Sequence, residues 1–483
     1  MLKYRGNIRD QWVDFKYWGL NWLAILGLVA TNPYRVVVSL FKYPWIYDLL
    51  KTNNLVKRYN EGRSGTALLL SNLNVHRVVQ GVVRSLKNIV HGTKDTVLAN
   101  CMVPTEIYQA MDLKYFMTEL PAALLPMEDQ HTCDKYMDLI ENNGLPGDTC
   151  SYPRITAGVF AAGEIPRDVK VLISNNLPCE AGMASYGYYE DNLNVPAYRL
   201  DIPYNFKDED ALDLFVEDMR GMIAFLEKHT GHRMDWDRLR EILTRYNRMN
   251  ELELERWEMA ASGTPPLANE NIWITHFWNY NIDPGNSESS AWYEETHKII
   301  RKAYERKEPA LKDLRFRAVL WNPPTFAYAH FWNWLERCWG IACLNDMESF
   351  GHFEDMFIDT STNGTMLKGL ARKWCNATMA RHTRGPMENY LPDLWHMYEK
   401  FNADFILVAG HIGCRSSSAM TGVMKEQAQK KGIPFCIFDY ELMDSRVCSH
   451  QGIRDQISNF MFNVMKAKPL DESLLVIDDD SEW

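Results

Sequence analysis

Two stretches of this chain repeat one plan, and that repeat restricts the fold more than any other feature. "VKVLISNNLPCEAG" (169–182), a helix-length spacer and "NVPAYRLDIPYN" (194–205) run strand, polar loop with a cysteine, helix, Val-Pro step, strand, Asp. "DFILVAGHIGCRSSSAMTG" (404–422), a helix and "GIPFCIFDYELMD" (432–444) run the same way. Cys179 and Asp201 are 22 residues apart and Cys414 and Asp439 are 25 apart, the length of one crossover between parallel strands. The expectation is two related doubly wound sheets, each with a cysteine at the carboxyl end of a strand, where open α/β sheets bind ligands.

A chain of 483 residues exceeds one hydrophobic core. Residues 1–95 read as a helical N-terminal extension rich in Trp, Tyr and Leu, an interface layer without chemistry of its own. Alternation of strands and helices starts at "TVLANCMVP" and "PTEIYQAMDL", giving a first α/β domain over 96–206. Residues 207–305 carry apolar residues at i, i+3, i+4 and i+7 and read as a helical insertion. Alternation resumes at "LRFRAVLWNPP" in a second α/β domain, 306–466, and 467–483 form an acidic tail, loose or bound to a partner. The fold class is α/β, two Rossmann-like doubly wound domains with the insertion and the extension.

Charge and composition exclude several functions. The net charge of −11 is spread along the chain with no basic stripe, which argues against nucleic acid. The uncharged run at 17–34 holds two Asn, a Thr and a Pro, so it reads as a buried or partner-facing helix and not as a membrane span. Ten sparse cysteines without a CxxC pair, behind a start that lacks a cleavable apolar leader, point to a reducing, cytoplasmic setting. No GxxxxGK[ST] occurs, so this chain is not expected to bind ATP itself.

A third cysteine, Cys150 in "GDTCSYPRITAG", lies on a Gly/Pro-bounded loop before a helix. Thiols from three separate loops can meet at one site, although an isolated cysteine is as readily a small buried hydrophobe. Cys101, at the end of the first strand, ranks behind these three; Cys338, Cys343, Cys375, Cys436 and Cys448 read as structural. The cluster "FWNWLERCWG" (331–340) reads as a packed helix face.

"GDTCSYPR", "NNLPCEAG", "LDIPYN" and "HIGCRSSSAMTGVMKEQAQKKGIPFCIFDYELMDSR" together resemble the 2-hydroxyacyl-CoA dehydratase family, which also contains the cluster-bearing subunits of ATP-dependent benzoyl-CoA reductase. The resemblance covers about residues 96–465 and leaves 1–95 without a counterpart. It implies that Cys150, Cys179 and Cys414 hold a four-iron, four-sulfur (4Fe-4S) cluster, three thiolates fixing three irons and leaving one open to a substrate oxygen or an electron. It implies a subunit of an ATP-activated radical enzyme that eliminates water from a 2-hydroxyacyl-CoA through a ketyl, giving an enoyl-CoA. The alternatives are a benzoyl-CoA-type reductase subunit and a non-catalytic partner that relays electrons. Implied partners are a related second cluster-bearing subunit, a separate ATP-dependent activator and the acyl-CoA; the apolar, Trp-rich character of residues 1–95 makes that segment the expected interface with the second subunit.

Beside the thiols stand three further candidates. Glu119 falls where the family carries an acidic residue, as a base or orienting group, against the reading of a solvated helix-end carboxylate. His411 is placed to donate a hydrogen bond to sulfide. Ser416 to Ser418 either cap the following helix or offer hydroxyls to the open iron. Arg154 and Arg415 either meet CoA phosphates or pair with Asp439 and Asp148.

Overall fold

Among the described residues, eight strands form two four-stranded parallel sheets of identical order. In the computed structural model, which describes residues 7–49, 60–128, 131–204, 207–278, 282–322, 328, 330–349, 356–382 and 387–477, the first sheet contains β1 (Thr96–Ala99), β2 (Lys114–Met117), β3 (Val171–Asn175) and β4 (Ala197–Leu200). Their spatial order is β2-β1-β3-β4. The second holds β5 (Phe316–Trp321), β6 (Ile341–Asp346), β7 (Phe405–His411) and β8 (Phe435–Tyr440) in the order β6-β5-β7-β8. The repeat seen in the sequence thus occupies equivalent places, β3–β4 in one sheet and β7–β8 in the other.

Runs such as VLISN and IACLND form strands because both faces of each sheet are covered, so every position in β3 and β6 is buried. Successive residues supply two different cores. Val97, Ile173, Val319 and Ile406 enter one, while Leu98, Leu172, Leu320 and Leu407 enter the other. Each core therefore draws on both sheets and fixes one against the other. In both sheets the chain leaves the first strand to one side and returns on the other, so a crevice opens between β1 and β3 and between β5 and β7 at their carboxyl ends.

The stretch between the sheets is helical. Glu209–Thr230 is capped by the Asp208 side chain, ends at Gly231 with φ +81°, and buries Leu212, Phe215, Met219, Met222 and Leu226 on one stripe. Trp236–Ala261 follows, capped by Asp235. The Trp cluster is a packed helical segment, with Trp332, Trp334 and Trp339 buried.

The N-terminal segment divides in two. Helix Gly65–His91 buries Leu68, Leu73, Val75, Val79, Val82 and Leu86 and belongs to the core, and Trp45 is fully buried with its indole N–H donating to the Glu164 carbonyl at 2.7 Å. Helices Ile8–Thr31 and Pro33–Lys42 join the second core along one side, through Ile25, Leu28 and Val36, and leave large apolar residues exposed on the other. Among the described residues no single helix is long and apolar enough to cross a membrane.

The expected loose tail is corrected over 467–477. Leu470 N–H donates to the Cys338 carbonyl at 2.7 Å, and the Leu474 and Ile477 carbonyls accept from Trp334 and Arg454. Leu474, Leu475 and Ile477 also pack against the second core, so their apolar side chains outweigh the acidic composition around them. Residues 478–483 of that expectation lie outside the described residues.

Candidate functional site

The carboxyl ends of the two sheets face one cavity of about 90 Å³. Loops after six strands reach it: Cys101 after β1, Glu119 after β2, Cys179 after β3, Glu348 after β6, Cys414 after β7 and Leu442 after β8. Cys150 joins them from the loop before Ser151–Ala161. The three thiols of the sequence reading thus meet in one place, and Cys101 brings a fourth.

Cys150, Cys179 and Cys414 each occupy the N-cap position of a helix: Ser151–Ala161, Glu180–Asn192 and Arg415–Lys431. The Cys414 sulfur accepts the Ser417 N–H at 3.4 Å. Burial pushes all three thiols up, Cys150 well above the usual range and Cys414 to about 11. The other thiols add to this at Cys150 and Cys414. Backbone N–H groups of Tyr152, Gly182 and Ser417 pull the other way. Without a cation these thiols stay neutral; a cation among them yields thiolates that meet helix N-termini and waiting N–H donors. Among the described residues no three His, Cys, Asp or Glu side chains are placed to grip a single ion.

The loops are held in register by close contacts. A Cβ on Gly413 would lie 2.8 Å from Glu441 Oε1 and 2.9 Å from the Cys150 Cα, so only glycine lets the Cys414 loop approach the Cys150 loop this closely. Glu441 accepts from the backbone of Ser151 at 3.1 Å and of Met443 and Asp444 at 3.0 Å. His411 is buried with Nε2 3.2 Å from Cys150 Sγ, and burial lowers its pKa against the opposing charge of Glu441, which favours a neutral ring.

The reading of Glu119 as a solvated carboxylate does not survive: the side chain is buried, because it is the acceptor that three donors need. Cys101 N–H donates to it at 2.9 Å, Thr118 Oγ1 at 2.8 Å and the Tyr186 hydroxyl at 3.0 Å. Burial raises its pKa while those hydrogen bonds oppose the rise. Glu348 was not foreseen. Burial, with the Asp346 charge behind it, pushes its carboxyl up to about 8, so at neutral pH it carries a proton in the cavity wall.

Capping by the serines is also corrected. The cap is the Cys414 sulfur, which takes the N–H that a serine oxygen would have taken. Ser417 accepts from Asn322, Ser418 donates to the His411 carbonyl at 3.3 Å, and Ser416 lines the cavity. Arg415 pairs with Asp148 at 3.2 Å at the surface. Arg154, paired in the sequence reading with Asp439 or Asp148, is instead buried against Glu141 and Asp444 and holds the loop after β8. Burial alone would raise the Asp444 carboxyl, but Arg446 and Arg154 outweigh it and hold it below the usual carboxylate range.

Similarity to known proteins follows the same boundaries. The family model for the 2-hydroxyglutaryl-CoA dehydratase D-component matches residues 100–461. One of the subunits of the Thauera aromatica benzoyl-CoA reductase is 21% identical over 345 residues, 66% of this chain and 77% of that protein. The (R)-phenyllactyl-CoA dehydratase alpha subunit of Clostridium sporogenes is 26% identical over 169 residues, 33% of this chain and 39% of that protein. With the second sheet, three strands of the first and every thiol of the cavity inside the matched span, the chain belongs to the 2-hydroxyglutaryl-CoA dehydratase D-component family.

Proposed function

We propose that this chain is the iron–sulfur subunit of an ATP-activated enzyme that eliminates water from a 2-hydroxyacyl-CoA, with Cys150, Cys179 and Cys414 as the thiolates of a 4Fe-4S cluster. The observation that carries the reading is the meeting of three thiols, each at the N-cap position of a helix, at the facing ends of both sheets. The donor set fits: three soft sulfurs, already supplied with N–H partners for their anionic form, on separate loops suit a cluster better than one ion. When bound, the cluster would supply an iron without a protein thiolate and a low-potential electron.

The protein's own residues have separate tasks. Glu348, protonated near neutral pH, has a proton to give to the departing hydroxyl. Glu119, gripped by three donors, is a fixed acceptor for orienting the acyl group or taking its proton. Met102, Pro153, Pro178 and Leu442 make the rest of the wall mostly apolar, which limits water around a reactive intermediate. Ten free cysteines suit a reducing, cytoplasmic setting. A related second subunit and a separate ATP-dependent activator complete the proposed enzyme; that both relatives are themselves named as subunits supports the first of these.

A second reading, reduction of an aromatic acyl-CoA, is favoured by the longer span matched to the benzoyl-CoA reductase relative. Anaerobic protein, with partner, activator and ATP, offered a panel of 2-hydroxyacyl-CoA and aromatic acyl-CoA thioesters, tests both. Enoyl-CoA from the former supports the dehydratase and reduced rings support the reductase. Turnover of neither, with cluster and partner in place, refutes both.

A further inference from the structure

Helices Ile8–Thr31 and Pro33–Lys42 lie before the family-matched span and meet at a bend of 102° around Asn32. The inner stripe of the first is committed to the protein: Tyr17, Asn21, Ile25 and Leu28 are buried, and Asn21 Oδ1 lies 2.6 Å from His76 Nδ1. Its outer stripe is Ile8, Trp12, Phe15, Trp18, Leu23 and Leu26, with Trp12 63% exposed and neighbouring rings in contact along the helix. The second helix continues it with Tyr34, Val37, Val38 and Phe41, the last 86% exposed.

Charge is sorted across this pair. Both acids turn inward, Asp10 Oδ1 accepting the Gly65 N–H at 3.3 Å and Asp14 Oδ1 accepting from Asn60 and Asn72 at 2.9 Å. The cations Arg9, Lys16, Arg35 and Lys42 remain exposed around the apolar stripe. A chain of net charge −11 thus presents, at this one face, an apolar and aromatic surface with the cations of both helices exposed beside it. A bilayer with anionic lipid matches both features, taking the aromatic stripe at its headgroup layer and the cations at its phosphates. We propose that this outer face docks in the plane of a membrane surface that carries anionic lipid, with Trp12, Phe15, Trp18 and Phe41 entering the headgroup layer and Arg9, Lys16 and Lys42 meeting lipid phosphates.

Sedimentation of the purified full chain with vesicles tests this, comparing phosphatidylcholine alone with phosphatidylcholine containing a quarter phosphatidylserine. Tight binding is expected only to the anionic vesicles. Neutralising R9Q/K16Q/K42Q should weaken it about 100-fold, near fivefold per cation. W12S/F15S/F41S should abolish it with circular dichroism and thiol content unchanged, because these side chains are exposed. The proposal is overturned if the folded chain ignores anionic vesicles at low salt, if binding is equal on both vesicle types, or if either variant binds as the parent does. It is equally overturned if W12S/F15S/F41S keeps vesicle binding and instead loses a co-expressed related subunit, which would make the face a protein interface.

Discussion

Replacing Gly413 by Ala should damage the site through one added carbon. The new Cβ would fall 2.8 Å from Glu441 Oε1, 2.9 Å from Cys150 Cα and 3.0 Å from Cys150 N, where ordinary contact begins at 3.4 Å. The Glu441 oxygen can swing away, though it would then release the Ser151 N–H; the Cys150 backbone cannot move without moving its helix. The overlap of about 0.5 Å equals the roughly 0.5 Å tolerance of a preorganised site, and overpacking of this kind costs about 1–3 kcal/mol. Gly422→Ala in the following helix is the control. Its Cβ meets nothing within 4 Å, and the substitution should gain about 0.5–1 kcal/mol from helix propensity. Urea unfolding of the two variants with iron analysis of anaerobic protein reads both effects. Gly413→Ala should lose stability and most of its iron, and Gly422→Ala neither. A Gly413→Ala protein with parental stability and full iron would refute the argument that this close approach positions Cys150.

Iron content should fall to a small fraction in Cys414→Ala and stay unchanged in Cys375→Ala, whose thiol lies in the first hydrophobic core; bleaching of both would remove the distinction. Lys373→Met should cost about 3–5 kcal/mol in denaturant unfolding, because it strands the fully buried Glu106 carboxylate, and adding Glu106→Leu should restore most of that loss. Glu348 keeps its proton in the fold up to about pH 8, while in the unfolded chain it ionises near 4.5. The folded state therefore binds more protons across that window, and its stability declines as pH rises from about 4.5 to 8. Glu348→Gln should flatten this decline in unfolding experiments run at pH 5 and pH 8, and an unchanged slope would show that the carboxyl is not held neutral.

The repeat was legible because a buried parallel strand, a loop and a helix leave a local pattern, and it was read at β3–β4 and β7–β8 alone. Continued to the other strands, it would have found Glu348. Asn100 and Asn322 directly follow β1 and β5, and Glu119 and Glu348 stand two residues past β2 and β6. The Trp-rich helix before β6 replaces the short link before β2 and hides the match. The N-terminal helix shows the opposite difficulty. It is apolar almost all round, so periodicity could not say which side faces in, and its inward polar residues Asp10, Asp14 and Asn21 would be costly to bury without Gly65, Asn60, Asn72 and His76 from distant chain.

By itself the sequence determined the α/β class, most of the strands and helices, and the loops that carry Cys179 and Cys414 after strands, since each follows from periodicity and chemistry within about 25 residues. Only the tertiary structure decided that both cores run through both sheets, that four thiols and three carboxyls share one cavity, and that acids turn in and cations out at the N-terminal face. Those outcomes depend on pairings across hundreds of residues, where burial and the loss of water set the energy, and no local pattern records them.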